Sequence, residues 1–170
     1  SPEAKYKTMQ LDEIACLPVA DLLRPGGCAW VWGTWPMLAQ GDMSAVIRAW
    51  GLRGATGGDW AKRTTSGKLR WGTGFLQRSV CEPYIIAVKG PSVGVRGRGV
   101  KNLIESAGET LLDGVAREHS RKPEEAYTNL RAMMGPDARL ADIFSTRTQG
   151  RDGWECWGYD VGKYDHEHGG

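Results

Sequence analysis

The chain has 170 residues, 41% of them hydrophobic, and a formal net charge of +2. This fits one compact domain over residues 1–170 with its own core, and it makes any nucleic-acid contact the work of a local patch rather than of a globally cationic protein. Cys16, Cys28, Cys81 and Cys156 form neither a C-x-x-C pair nor a set with histidine, no run nears the ~18 apolar residues of a membrane span, and no basic-then-apolar signal opens the chain; these argue against a zinc site, a disulfide framework and a membrane segment, and suit a reduced, cytoplasmic setting.

In chain order, Leu11, Ile14 and Leu17 share one face of a short helix closed by Pro18. Cys28–Trp32 reads as a buried central strand bounded by glycines, and Thr34-Trp35-Pro36 breaks it. A helix is expected from Met43 to Trp50, with Val46, Ile47 and Trp50 inward and Gly51 as the residue after its cap, implying a βαβ crossover. Leu52–Lys62 is a strand weakened by Gly54, Gly57 and Gly58. Arg63–Lys68 is polar and basic and reads as a mobile loop; Trp71–Ser79 follows, and Glu82–Gly90 is a β-rich strand ending in glycine.

Between Pro91 and Asn102, cations sit among glycines in neither a P-loop nor a dinucleotide pattern. Such a flexible loop would let Arg96 and Arg98 follow a nucleic-acid backbone, or would be an unpartnered surface loop. Leu103–Ala116 reads as a weak strand or hairpin leading to Arg117-Glu118-His119-Ser120-Arg121-Lys122-Pro123-Glu124-Glu125. Here Ser120 or Arg121 would cap a helix, with Pro123 near its first position and the two glutamates facing the positive end of its dipole. Lys122 at that N-terminus would hold an anionic group; the plainer alternative is a solvated charged loop. Ala126, Leu130, Met133 and Met134 give the helix an apolar stripe, and Leu140–Phe144 completes an αβ unit, with a further strand or turn at Trp154–Val161. His166 and His168 lie in a polar tail, better read as frayed than as metal-binding; no metal site is expected. Eight tryptophans suit either a large core or a site built on flat aromatic surfaces.

Several segments keep both residue type and order with one family. Tyr6-Lys7-Thr8-Met9, the Leu11–Val19 stretch, Asp59-Trp60-Ala61-Lys62, the run from Gly72-Thr73-Gly74-Phe75 through Arg78 to Glu82, His119-Ser120-Arg121-Lys122-Pro123, Asp142-Ile143-Phe144 and Trp157-Gly158 together resemble the S-adenosylmethionine-dependent adenine-N6 methyltransferases, which include phage and bacterial DNA enzymes and the catalytic subunit that methylates eukaryotic mRNA. The resemblance implies an α/β fold: a Rossmann-like methyltransferase sheet with helices on both faces and permuted motif order, the cofactor half last. It implies methyl transfer from S-adenosylmethionine to adenine in DNA, with RNA or a catalytically silent nucleic-acid-binding subunit as the alternatives, in a bacterial cytoplasm and with a homodimer in view. Cofactor contacts would fall to Lys122, Asp142, Phe144, Tyr159 and Asp160, and substrate contacts to Lys62, Trp71, Phe75, Arg78, Glu82, Arg96 and Arg98. Tyr159 stands where the family has asparagine. The catalytic residues stay unassigned, because the family's Asp-Pro-Pro-Trp motif would fall upstream of Ser1.

Overall fold

Four strands pair into one mixed sheet in the computed structural model, which describes residues 9–64, 66–91, 94–107, 122–144 and 153–158. Strands β1 (Cys28–Trp32), β2 (Arg53–Arg63), β3 (Cys81–Val88) and β4 (Leu103–Ala107) lie in the order β1-β3-β2-β4. β3 runs antiparallel to β1 and β2, and β4 runs parallel to β2. β1 and β2 therefore point the same way, and the helices α3 (Trp35–Gln40) and α4 (Asp42–Ala49) make the crossover that such a pair requires.

Cys28–Trp32, expected at the centre, is an edge strand of this sheet, and the centre belongs to β2 and β3. Its composition misleads because helices cover both faces, so an edge strand here can be as apolar as a central one. On one face Ala29, Val31, Ile85 and Ala87 pack against Val46, Ile47 and Trp50 around α4, Val19 of α2 (Val19–Leu22) and Ile14 of α1 (Leu11–Ala15). On the other, Trp30, Trp32, Trp60, Tyr84, Ile86 and Ile104 pack with Ala126, Tyr127 and Met133 of α5 (Glu124–Met134). Polar pins hold the first layer: Trp50 Nε1 donates to the Ile14 carbonyl at 2.8 Å, and Lys89 Nζ donates to the carbonyls of Ala20 and Leu23, each at 2.7 Å.

The local signals resolve in three ways. Gly51 ends α4 as expected: at φ +73° it lets its own N–H reach the Arg48 carbonyl and that of Leu52 reach Ile47, a Schellman closure. Thr34-Trp35-Pro36 breaks β1 by starting α3, since Thr34 Oγ1 accepts from Met37 N and proline fits the first turn. At α5, Pro123 is the N-cap itself, in extended backbone, and the helix opens at Glu124; Ser120 and Arg121 lie outside the described residues.

β2 survives its glycines because the packing uses them. Its register with β3 shifts between Gly54 and Thr56, a bulge. A Cβ at Gly57 would meet the Tyr84 carbonyl, and one at Gly58 would meet the Asn102 carbonyl and the Tyr84 hydroxyl. These two positions let β4 and the Tyr84 ring close on β2. A two-stranded parallel sheet of β5 (Leu140–Asp142) and β6 (Trp154–Cys156) follows α5, with Trp157 N donating to the Asp142 carbonyl at 2.9 Å. Among the described residues no helix is long and apolar enough to cross a membrane.

Gly58→Ala is expected to cost about 1–3 kcal/mol by overpacking, read as a lower urea midpoint. Gly54→Ala, whose added methyl meets only Ile85 Cγ2 at 3.6 Å, should be close to neutral.

Candidate functional site

Side chains two residues apart share a sheet face, so Trp30 and Trp32 of β1, Trp60 and Lys62 of β2, and Glu82 and Tyr84 of β3 project together. Register sets them side by side: Trp32 lies opposite Tyr84, and Trp60 lies opposite Glu82. The rings form a continuous wall. Trp30 stacks on Tyr84 with centroids 3.9 Å apart, and Trp32 meets Tyr84 edge-on at 5.4 Å and Trp60 at 6.2 Å.

Lys122, two residues ahead of α5, reaches onto this wall. The Glu82 carboxylate sits between two ammonium groups, Oε2 accepting from Lys62 at 2.9 Å and Oε1 accepting from Lys122. Lys62 Nζ also lies 5.0 Å from the Trp60 ring centroid and Lys122 Nζ 5.2 Å from that of Trp32. The side chains are only 14% (Glu82), 22% (Lys122) and 32% (Lys62) exposed. Burial pushes the Glu82 carboxyl up, but the charge and hydrogen bonds of Lys122 and Lys62 outweigh it and hold the group below its usual range. Burial pulls the Lys122 ammonium down; Glu82 restores part of the loss and Lys62 adds to it. Burial, then the Asp59 carboxylate, raises the Tyr84 hydroxyl, which stays protonated. A fixed acceptor beside fixed donors, on an aromatic face, suits a planar heterocycle whose edge carries both a donor and an acceptor.

The structure brings Lys62, Glu82 and Lys122 together. Lys122, expected at the cofactor, has its ammonium on Glu82 among the substrate candidates. Trp71, Phe75 and Arg78 stand apart on the loop between β2 and β3, where Trp71 is 68% exposed and Arg78 lies 6.0 Å from its ring centroid. The loop bearing Arg96 and Arg98 is laid on the C-terminal turn of α5, with the N–H groups of Arg96 and Gly97 both donating to the Met133 carbonyl. That is the opposite end of the helix from Lys122, roughly 16 Å away at 1.5 Å per residue. The flexible basic loop is therefore a docked segment here, and Gly97 is what permits the approach, since a Cβ there would strike the Ala132 carbonyl. Asp142 ends β5, and Phe144 lies just past it, exposed. Tyr159, Asp160, His166 and His168 lie outside the described residues. Among the described residues no three His, Cys, Asp or Glu side chains cluster as a metal site.

Sequence reasoning missed Trp32 and Tyr84 as parts of this wall. The pairs Trp30-x-Trp32, Trp60-x-Lys62 and Glu82-x-Tyr84 carried the signal, each spaced to share a face, but their alignment needed the register between strands.

Because the folded carboxyl of Glu82 titrates below its ordinary value of 4.5, its pairing stabilises the fold fully above that pH and is lost as pH falls through the lower folded value. Glu82→Gln should cost about 1–3 kcal/mol at pH 7, and the difference from the native chain should shrink in acid. Urea unfolding at pH 7 and at the lowest pH where the fold persists measures it; a pH-independent difference would show that the carboxylate is not charge-paired in solution.

No curated protein matches the chain. The MT-A70 family model does, over residues 1–160, nearly its whole length. The chain belongs to the MT-A70 family, the S-adenosylmethionine-dependent N6-adenosine methyltransferases.

Proposed function

We propose that the chain methylates the N6 amine of adenine in DNA, with RNA as the alternative substrate, and that the base docks on the Glu82 cluster. The observation that carries this is the Glu82 carboxylate held between Lys62 and Lys122 on the Trp32–Trp60 wall. Adenine presents an N6–H donor beside the N1 acceptor. Glu82 spends one lone pair of each oxygen on a lysine and keeps the others, so it accepts from N6–H while Lys62, the more exposed lysine, donates to N1. Trp32, only partly buried where Trp60 is core, supplies a stacking face for a base taken out of its own stack. Accepting from N6–H also favours a tetrahedral amine, whose lone pair is otherwise delocalised into the ring.

S-adenosylmethionine, when bound, supplies the electrophilic methyl group. Lys122 has three N–H donors, uses one on Glu82 and keeps two for an anion such as the cofactor's carboxylate, so its chemistry fits. Asp142 suits ribose hydroxyls, Phe144 offers an exposed face beside it, and Tyr159 and Asp160 would complete the contacts. The wider reading is a Rossmann-like sheet with permuted motifs, working in a bacterial cytoplasm, with a homodimer as the expected assembly.

The family's Asp-Pro-Pro-Trp acceptors are not spelled within residues 1–170. The test is therefore methyl transfer from labelled S-adenosylmethionine to duplex DNA, single-stranded DNA and RNA, with nucleoside analysis, by this chain and by one extended upstream. N6-methyladenine from DNA is the expected product. Nucleic-acid binding without transfer by either would favour a silent binding subunit. Lys122→Ala should weaken cofactor binding by about 1.5–3 kcal/mol, measured by calorimetry; an unchanged dissociation constant would remove Lys122 from the cofactor site.

A further inference from the structure

The segment between Trp60 and Cys81 carries Lys62, Arg63, Lys68, Arg70 and Arg78 and no aspartate or glutamate. Lys62 is engaged by Glu82, and Arg63 by Glu105 at 2.6 Å. Lys68, Arg70 and Arg78 have no carboxylate partner among the described residues. Their loop is braced by its own backbone: Thr64 N to the Lys68 carbonyl at 2.8 Å, Gly72 N to that of Ser79 at 2.7 Å, and Ser79 N to that of Thr73 at 3.2 Å. Arg78 Nε adds a bond to the Gly72 carbonyl at 3.3 Å. At the tip of this braced protrusion Phe75 and Leu76 are fully exposed, at 108% and 99%.

The protrusion rises from the edge of the site. Lys62 N donates to the Val80 carbonyl at 3.0 Å, and Arg70 N donates to the Lys62 carbonyl at 2.7 Å. Both stems of the loop thus close on the residue that pairs with Glu82.

Resting on the proposed nucleic-acid function, we propose that this loop is a wedge for duplex DNA: Phe75 and Leu76 enter between stacked base pairs while Lys68, Arg70 and Arg78 hold the flanking phosphates. Two observations favour a duplex over a single strand. Leu76 has no π-face on which a lone base could stack, whereas an aliphatic side chain beside an aromatic one is what proteins insert between base steps. Trp71, the flatter platform, already has the Arg78 guanidinium over its ring. A second copy of the chain is the poorer occupant, because a two-fold contact would set this acid-free cationic segment against itself. Opening a step beside the Glu82 cluster lowers the cost of turning the adenine out toward it.

The test relaxes closed-circular DNA with topoisomerase in the presence of the full chain and reads the linking number. Inserted side chains unwind the duplex, so the native chain should leave a lowered linking number that grows with bound protein. Phe75→Ala with Leu76→Ala touches no buried side chain; at saturating protein this variant should bind and lose the shift. Lys68→Ala, Arg70→Ala and Arg78→Ala together should weaken binding at least tenfold and flatten the salt slope by about three. A shift retained by the Phe75/Leu76 variant overturns the wedge, as does native binding with no shift. A variant that instead turns a dimer into a monomer, by sedimentation, with its shift intact, overturns it in favour of self-association. Failure of the native chain to bind DNA at all removes the DNA reading with it, whereas binding without unwinding removes the wedge alone.

Discussion

Two ammonium groups share one carboxylate at the head of this sheet, and much of the site's geometry depends on that. Lys62 comes from the end of β2, Glu82 from the start of β3, and Lys122 from the entrance to α5. Without Glu82, two half-buried cations would face each other across the tryptophan wall, and α5 would lose a polar tie at its start. Burial works against the charged forms of Glu82 and Lys122; the pairing outweighs it at Glu82 and offsets part of it at Lys122. A pair of this kind is weak evidence for stability, but it is strong evidence for placement: a charge that cannot be left unpaired fixes where its neighbours must be.

The wall on which those charges rest has its own condition, set by absent side chains. Gly57 and Gly58 lower the strand propensity of β2, yet they let β4 approach and let Tyr84 lie against β2. Tyr84 in turn supports Trp30 by stacking and Trp32 by its edge. The local loss of propensity becomes a gain in packing, because the glycines' neighbours occupy the space a Cβ would need.

The same contrast explains how much was legible in the sequence. Local composition, periodicity and the Gly51 closure located α4, β1, β3, α5, β5 and β6, whereas β2, weak by propensity, was placed by the family resemblance. Strand order was not legible: Cys28–Trp32 is as apolar as a central strand because helices lie on both faces, and only pairing reveals that it is an edge. Thr34-Trp35-Pro36 was ambiguous in itself, because a threonine before a proline both stops a strand and opens a helix. Lys62, Glu82 and Lys122 were each visible as candidates, but 20 and 40 residues separate Glu82 from its partners, and no local pattern joins them. The glycines among Arg96 and Arg98 read as looseness, whereas Gly97 is the means by which that segment docks on α5.

Charge is distributed along the chain in a way its total conceals. A net of +2 would draw a polyanion weakly, but the segment on from Trp60 gathers five cations with no acid, and exposed charges act only over about a Debye length of 10 Å. Glu82, the carboxylate just after this segment in the sequence, is outweighed by Lys62 and Lys122, leaving that trio at a net of +1. On the proposed function, an approaching phosphate backbone would meet this positive edge first, while the Glu82 acceptor stays behind it between its two lysines. Attraction for the backbone and recognition of the base would then lie on different parts of the fold, with the braced loop between β2 and β3 closing on Lys62 between them.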